Sequence, residues 1–159
     1  MSGWSNENED ENEKFGLRLT AYFMNNKFTI QDCIQIDVTT FTDERGSLTV
    51  LESGQPFVPK RIFWMHHIAV GAERGAHAML QGSELLVAVH GSFVVDLDDG
   101  VSKTNVLLND PTKGLLLRPG IWSRTHSYTS DCVALILASE EYDRGKYVYE
   151  HEEFVKLRM

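Results

Sequence analysis

The amino-acid sequence predicts an all-β domain, a sandwich or barrel of short antiparallel strands. Two observations carry that expectation. Short runs rich in Val, Ile, Leu, Thr and aromatic residues are parted by Gly, Pro, Asn and Asp at near-even spacing. Within several of them apolar residues alternate with a period of two rather than the helical 3.6. No internal repeat or long linker divides the chain, and its 159 residues, 42% of them hydrophobic, suffice for one core. Residues 15–159 are therefore expected as a single domain.

The elements follow in order. Residues 1–14 (MSGWSNENEDENEK) are polar and acidic, with Trp4 alone able to bury much surface, and are expected as a disordered tail. Residues 17–22 and 28–30 read as early strands around an Asn25-Asn26 turn, peripheral or exchanged with a partner subunit, and residues 33–38 as a third. Asp43 to Ser47 form a turn, from which the β-branched run 48–52 departs. After Gly54, Pro56 and Pro59 come the strand 61–65 and then the glycine-bounded stretch 71–91. Residues 92–97 and 104–108 make a hairpin across Asp98-Asp99-Gly100, because Asp-Gly adopts the positive φ that tight hairpins need. Strands at 114–117, 122–128 and 132–138 complete the series. Only residues 139–157 have helical character, with Tyr147-Val148-Tyr149 ambiguous between helix and strand.

Composition excludes several classes of function. The net charge of -8 and isoelectric point near 5.2 argue against nucleic acid as a partner, since phosphate-backbone binding needs clustered Lys and Arg. No run approaches the ~20 apolar residues of a membrane span, and no basic region precedes an apolar one at the N-terminus. A cytoplasmic protein without membrane attachment is expected. Cys33 and Cys132 lie far apart among apolar neighbours, as two buried free thiols in a reducing compartment.

The most specific stretch is Gly71, five residues, His77-Ala78-Met79, four residues, Glu84, six residues, Gly91. It resembles the first motif of the cupins, with Met79 where a second His is expected, and residues 114–122, with Pro119-Gly120-Ile121-Trp122, resemble the second motif. The resemblance implies a cupin double-stranded β-helix, a jelly roll, with a short C-terminal helical or irregular segment. It narrows to the sugar-nucleotide 3,4-ketoisomerases acting on dTDP-4-keto-6-deoxyglucose, as in WxcM-like C-terminal domains. The blocks that carry it are Asp43 to Leu48, Lys60 to Phe63, Arg74 to Ala78, Asp98 to Gly100, Pro111 to Leu115, Pro119 to Trp122 and Leu137 to Asp143.

What that family resemblance implies is an isomerase of deoxysugar and polysaccharide biosynthesis, free of metal and cofactor. It shifts the keto group of a dTDP-linked 4-keto-6-deoxyhexose from C4 to C3 through an enediol, and it works as a homodimer. The chemistry needs a base at C3, a proton source at C4 and donors for the developing enolate oxygen. His77 is the candidate catalytic base. Arg45 and Arg74 match family positions and are candidates for substrate binding, with Arg61 beside them. Arg124 could stand in for the basic residue that the family places at Ser123, and Trp122 either stacks on substrate or belongs to the core.

Of the positions on which a cupin metal site draws, only His77 and Glu84 are occupied by suitable residues, too few to hold a metal tightly. His66 and His67, adjacent on a strand, are expected to face opposite sides. A nucleotide-sugar-binding protein without turnover, because a thioether at Met79 transfers no proton, is the alternative reading. A sugar-nucleotide 3,5-epimerase is the weaker one.

Overall fold

The computed structural model describes residues 27–159, so the expected tail at 1–14 and strand at 17–22 lie outside the described residues. Twelve strands are described: β1 (Gln35–Asp37), β2 (Thr39–Asp43), β3 (Gly46–Val50), β4 (Arg61–Met65), β5 (Arg74–Met79), β6 (Glu84–His90), β7 (Phe93–Asp98), β8 (Lys103–Leu108), β9 (Lys113–Leu117), β10 (Trp122–His126), β11 (Val133–Ala138) and β12 (Tyr147–Val148). One sheet runs β1-β9-β6-β11-β4 and the other β12-β5-β10-β7-β8, all neighbours antiparallel. Among the described residues, β2 and β3 pair only with each other. The two sheets make the jelly roll that the family resemblance implies; of the two all-β forms expected from the strand pattern the open sandwich is the one found, since neither sheet closes into a barrel among the described residues.

Alternation builds the core. Phe93, Val95 and Leu97 of β7 are fully buried while Val94 and Asp96 are partly exposed. The inward residues meet Leu86 and Ala88 of β6, Leu115 and Leu117 of β9, and Ala134 and Ile136 of β11 in one cluster between the sheets. Each fully buried Leu or Phe contributes about 1.5–3 kcal/mol of transfer free energy. Strand β6 is buried on both faces, because Leu85 and Val87 enter a second cluster with Leu116 and Leu137 on the outer side of its sheet. Cys33 and Cys132 are buried free thiols, as expected.

Three local expectations are corrected. The strand expected at residues 28–30 does not form; Ile30 instead opens a 3₁₀ turn (Ile30–Asp32), with the Asp32 carboxylate accepting from the Thr29 amide and hydroxyl at 2.7 and 3.0 Å. The helix is confined to α1 (His151–Arg158), with acidic residues in its first turn and basic ones in its last, while Tyr147 and Val148 pair as β12 with Met79 and Ala78. His66 and His67 are both exposed, since β4 ends at Met65 and strand alternation no longer applies; their Nδ1 atoms lie 3.0 Å apart. The hairpin at Asp98-Asp99-Gly100 forms as expected. Gly100 takes φ +87°, and Asp99 Oδ1 accepts from the Val101 and Ser102 amides at 3.0 and 2.7 Å.

Candidate active site

A cavity of about 380 Å³ opens between the sheets at the end where β4, β5, β6 and β12 meet. Alternation along β4 points Arg61, Phe63 and Met65 into it, and β6 contributes Glu84 at its first residue. From the opposite sheet come Arg74 and His77 of β5 and Ser123 and Thr125 of β10. Tyr142, Tyr147 and Tyr149 complete one wall.

Arg74 and His77 are three residues apart, a spacing that a regular strand sends to opposite faces. A bulge brings them together. Ser123 pairs with His77 and the next residue, Arg124, pairs with Gly75, so Ala76 is the extra residue on β5. Gly75 and Ala76 take φ +77° and +55°. A Cβ on Gly75 would stand 3.1 Å from the Ser123 carbonyl oxygen, so glycine fits this close approach.

The His77 ring meets Tyr147 edge-on, with centroids 4.9 Å apart, and Tyr149 at 5.8 Å. Burial lowers its pKa, a hydrogen bond to the Gly75 backbone opposes that shift, and the Arg61 charge adds to it. The imidazole is therefore held neutral at neutral pH, the form that takes a proton.

Arg61 Nη2 lies 3.4 Å from Glu84 Oε1 and 3.4 Å from the Tyr147 hydroxyl. Its guanidinium also stands over the Phe63 ring at 4.7 Å and 5.3 Å from the Tyr142 centroid, while its Nε is buried with no hydrogen-bond partner among the described residues. The contacts to Glu84 and Tyr147 are long for charge-assisted bonds, which leaves the guanidinium available to an incoming anion or oxyanion. Burial pushes the Glu84 carboxyl up to about 7 against the opposing pull of Arg61. Burial also raises Tyr147, so its phenol remains a donor. Sequence reasoning missed Glu84 as a pocket acid and the three tyrosines. The Tyr147-x-Tyr149 spacing was the available signal, obscured by its ambiguity between helix and strand.

The other predicted residues lie elsewhere. Met79 is 4% exposed and belongs to the principal core. Arg45 stands in the exposed β2–β3 turn, its side chain 84% accessible and bonded to Asp43. Trp122 and Arg124 point to the outer face of their sheet, because alternation along β10 turns Ser123 and Thr125 inward. This corrects the idea that Arg124 replaces a basic group at Ser123: the two face opposite sides.

Trp122 packs against His151 and Phe154 of α1 at 5.0 and 5.7 Å, and Arg124 pairs with Asp96 at 2.7 Å and Glu73 at 3.1 Å. Both line an outer groove of about 620 Å³. There His151 bonds Asp98 at 2.8 Å. Burial raises Asp98, but hydrogen bonds from His151, the Gly100 amide and Lys103 outweigh it and hold the carboxylate below its usual range. No three His, Cys, Asp or Glu side chains converge as a metal site among the described residues, and none of the described helices is long and apolar enough to cross a membrane.

Comparison with known proteins gives this cavity a context. The family described as FdtA, WxcM-like C-terminal, matches residues 31–159. A TDP-4-oxo-6-deoxy-α-D-glucose-3,4-oxoisomerase of Aneurinibacillus thermoaerophilus is 35% identical over 123 residues, 76% of this chain and 88% of the relative. The structure of WlaRA, a TDP-fucose-3,4-ketoisomerase from Campylobacter jejuni, superposes with a TM-score of 0.75 at 30% identity, covering 79% of this chain and 95% of that one. A histidine-to-asparagine variant of the 3,4-ketoisomerase QdtA from Thermoanaerobacterium thermosaccharolyticum, in complex with TDP-4-keto-6-deoxyglucose, gives 0.78 at 27% identity, covering 80% and 94%.

Proposed function

Since the chain belongs to the WxcM-like C-terminal (FdtA) family, we propose that it is a sugar-nucleotide 3,4-ketoisomerase moving the keto group of a TDP-4-keto-6-deoxyhexose from C4 to C3. The observation that carries this reading is His77, half-buried and held neutral in the inter-sheet cavity beside two cations and phenolic donors. His77 takes the C3 proton as the C3–H electrons form a C3–C4 double bond. Arg61 and Tyr147 stabilise the oxygen that gains charge at C4. The imidazolium then returns a proton to C4 as the C3 carbonyl forms. Because one base serves both carbons, an apolar Met79 is compatible with turnover. Arg74 lines the same cavity and would hold the diphosphate or the sugar.

The active form is a homodimer, and the protein is cytoplasmic. Ile62 and Trp64 of β4 and Val89 of β6, on the outer face of the first sheet, are 55, 61 and 40% exposed, and Phe41 and Leu48, paired on the β2–β3 arm, are 61 and 63% exposed. An apolar surface of this kind is suited to burial against a second copy. That arm would place Arg45 near the partner rather than in its own cavity. The buried free thiols fit a reducing compartment.

The test is incubation of the purified protein with TDP-4-keto-6-deoxyglucose in deuterated water. The 3-keto product is expected, with deuterium at C4 wherever the His77 imidazolium exchanges with solvent before it returns its proton. Tight binding with no product and no exchange at C3 or C4 would instead make this a nucleotide-sugar-binding protein. Light scattering on the same sample, with Trp64→Glu expected to yield monomer, tests the dimer.

A further inference from the structure

We propose that Glu84 is a second catalytic residue of the isomerisation, the group that carries the hydroxyl proton between the sugar oxygens O4 and O3 while His77 moves the carbon-bound proton. The proposal rests on the ketoisomerase reading and adds to it a requirement which that reading leaves open. Conversion of a 4-keto sugar to a 3-keto sugar relocates two protons. One passes from C3 to C4, and the other leaves the C3 hydroxyl while the C4 oxygen gains one.

The structure places two titratable groups on opposite walls of one cavity. His77 projects from β5 in one sheet and Glu84 from β6 in the other. Glu84 is 8% exposed, and among the described residues its carboxylate accepts a hydrogen bond from Arg61, at Oε1. Oε2 is thus left to a ligand. The other titratable groups facing the cavity are Arg61 of β4, Arg74 of β5, Tyr147 of β12, and Tyr142 and Tyr149 beside it. The arginines are cations throughout the working range, and burial raises both Tyr147 and Tyr149. That leaves His77 and Glu84 as the groups able to give and take protons near neutrality. Burial brings the Glu84 carboxyl to about 7, where it serves as acid and base equally well.

The step balances. As His77 removes the C3 proton, the carbonyl π electrons move to O4, and the protonated carboxyl of Glu84 donates its O–H there to give the neutral enediol. The resulting carboxylate accepts the O3 proton as the C3–O3 double bond forms. The C3–C4 π electrons take the proton from the His77 imidazolium at C4. Both residues end as they began.

The test compares wild type, Glu84→Gln and His77→Asn for 3-keto product and for deuterium exchange at C3. Glu84→Gln is expected to lose product formation by at least about 100-fold while C3 exchange persists, and its kcat profile is expected to lose the alkaline limb. His77→Asn loses exchange and product together. Product formation by Glu84→Gln within about threefold of wild type, or its loss of exchange and product together, overturns the role of Glu84 and leaves the ketoisomerase reading standing. A wild-type protein that forms no 3-keto product and exchanges neither proton overturns both. Should Glu84→Gln not fold, Arg61→Met keeps the carboxyl and removes its cation. The alkaline limb of kcat is then expected to move to higher pH, and an unmoved limb overturns the proposal.

Discussion

The imidazole of His77 stands edge-on to the phenol ring of Tyr147, centroids 4.9 Å apart and planes at 86°. The two belong to neighbouring strands, β5 and β12, and Tyr147 also lies 3.4 Å from the Arg61 guanidinium. The proposed base and the proposed oxyanion donors are thereby held against one another, an arrangement that would leave little reorganisation to the reaction.

From this arrangement His77→Asn is expected to reduce kcat by at least about 100-fold while leaving TDP affinity within a few-fold, the mark of a lost proton-transfer group. Because burial lowers the His77 pKa, the imidazole stays unprotonated to more acidic pH than a free histidine. The acidic limb of wild-type kcat should therefore lie below the ordinary histidine value. A pH–rate profile on the keto sugar checks the limb, and full turnover by the variant would remove His77 from the mechanism.

The bulge at Ala76 makes a separate demand on Gly75. Gly75→Ala forces a side chain into φ +77° and to 3.1 Å from the Ser123 carbonyl, a strain of about 1–2 kcal/mol. The same change disturbs the register that turns His77 inward. Stability by urea titration and kcat should fall together, whereas a variant losing neither would show that the backbone there tolerates a side chain.

That bulge also marks where the sequence stops being informative. The β7–β8 hairpin could be read from Asp98-Asp99-Gly100, since a local turn residue dictates it, and the alternation of Phe93, Val95 and Leu97 announced their burial. The inward pairing of Arg74 with His77 had no such signature, because period-two reasoning separates them and only the pairing with β10 reveals Ala76 as the extra residue. Alternation on β10 could have been applied to show that Trp122 and Arg124 share a face; that this face is the outer one depends on α1 covering it. Glu84 and Tyr147 were hidden for another reason. Their chemistry comes from burial against Arg61, a contact from a distant strand.

Met79 offers a contrasting test. At 4% exposure in the principal core, Met79→His places a polar ring where no water reaches, at a cost of about 1–3 kcal/mol. Since the side chain does not line the cavity, no gain in turnover is expected. Thermal melts and the exchange assay check the two halves, and a large gain in activity would show that the position does reach substrate.

Phe154 bears on stability with little effect on chemistry. Its side chain is fully buried between α1 and the outer face of β5 and β10, against Ala78, Leu80, Val148 and Trp122. Phe154→Ala should destabilise the fold by about 3–5 kcal/mol. The cavity lies on the inner side of that sheet, so the folded variant is expected to keep kcat close to wild type at low temperature.

Glu84 makes stability itself pH-dependent, with a sign opposite to that of most carboxylates. Its folded pKa, about 7, is above the ordinary 4.5, so between those values the folded state holds a proton that the unfolded state has released. Stability from this group is thus fully present below about pH 4.5 and declines as pH rises towards 7. The shift corresponds to roughly 3 kcal/mol across that window. Glu84→Gln cannot titrate and removes this slope. Urea titrations at pH 5 and pH 8 should show wild type losing stability relative to Glu84→Gln between the two, and parallel behaviour would mean that Glu84 is already ionised in the folded protein at pH 5.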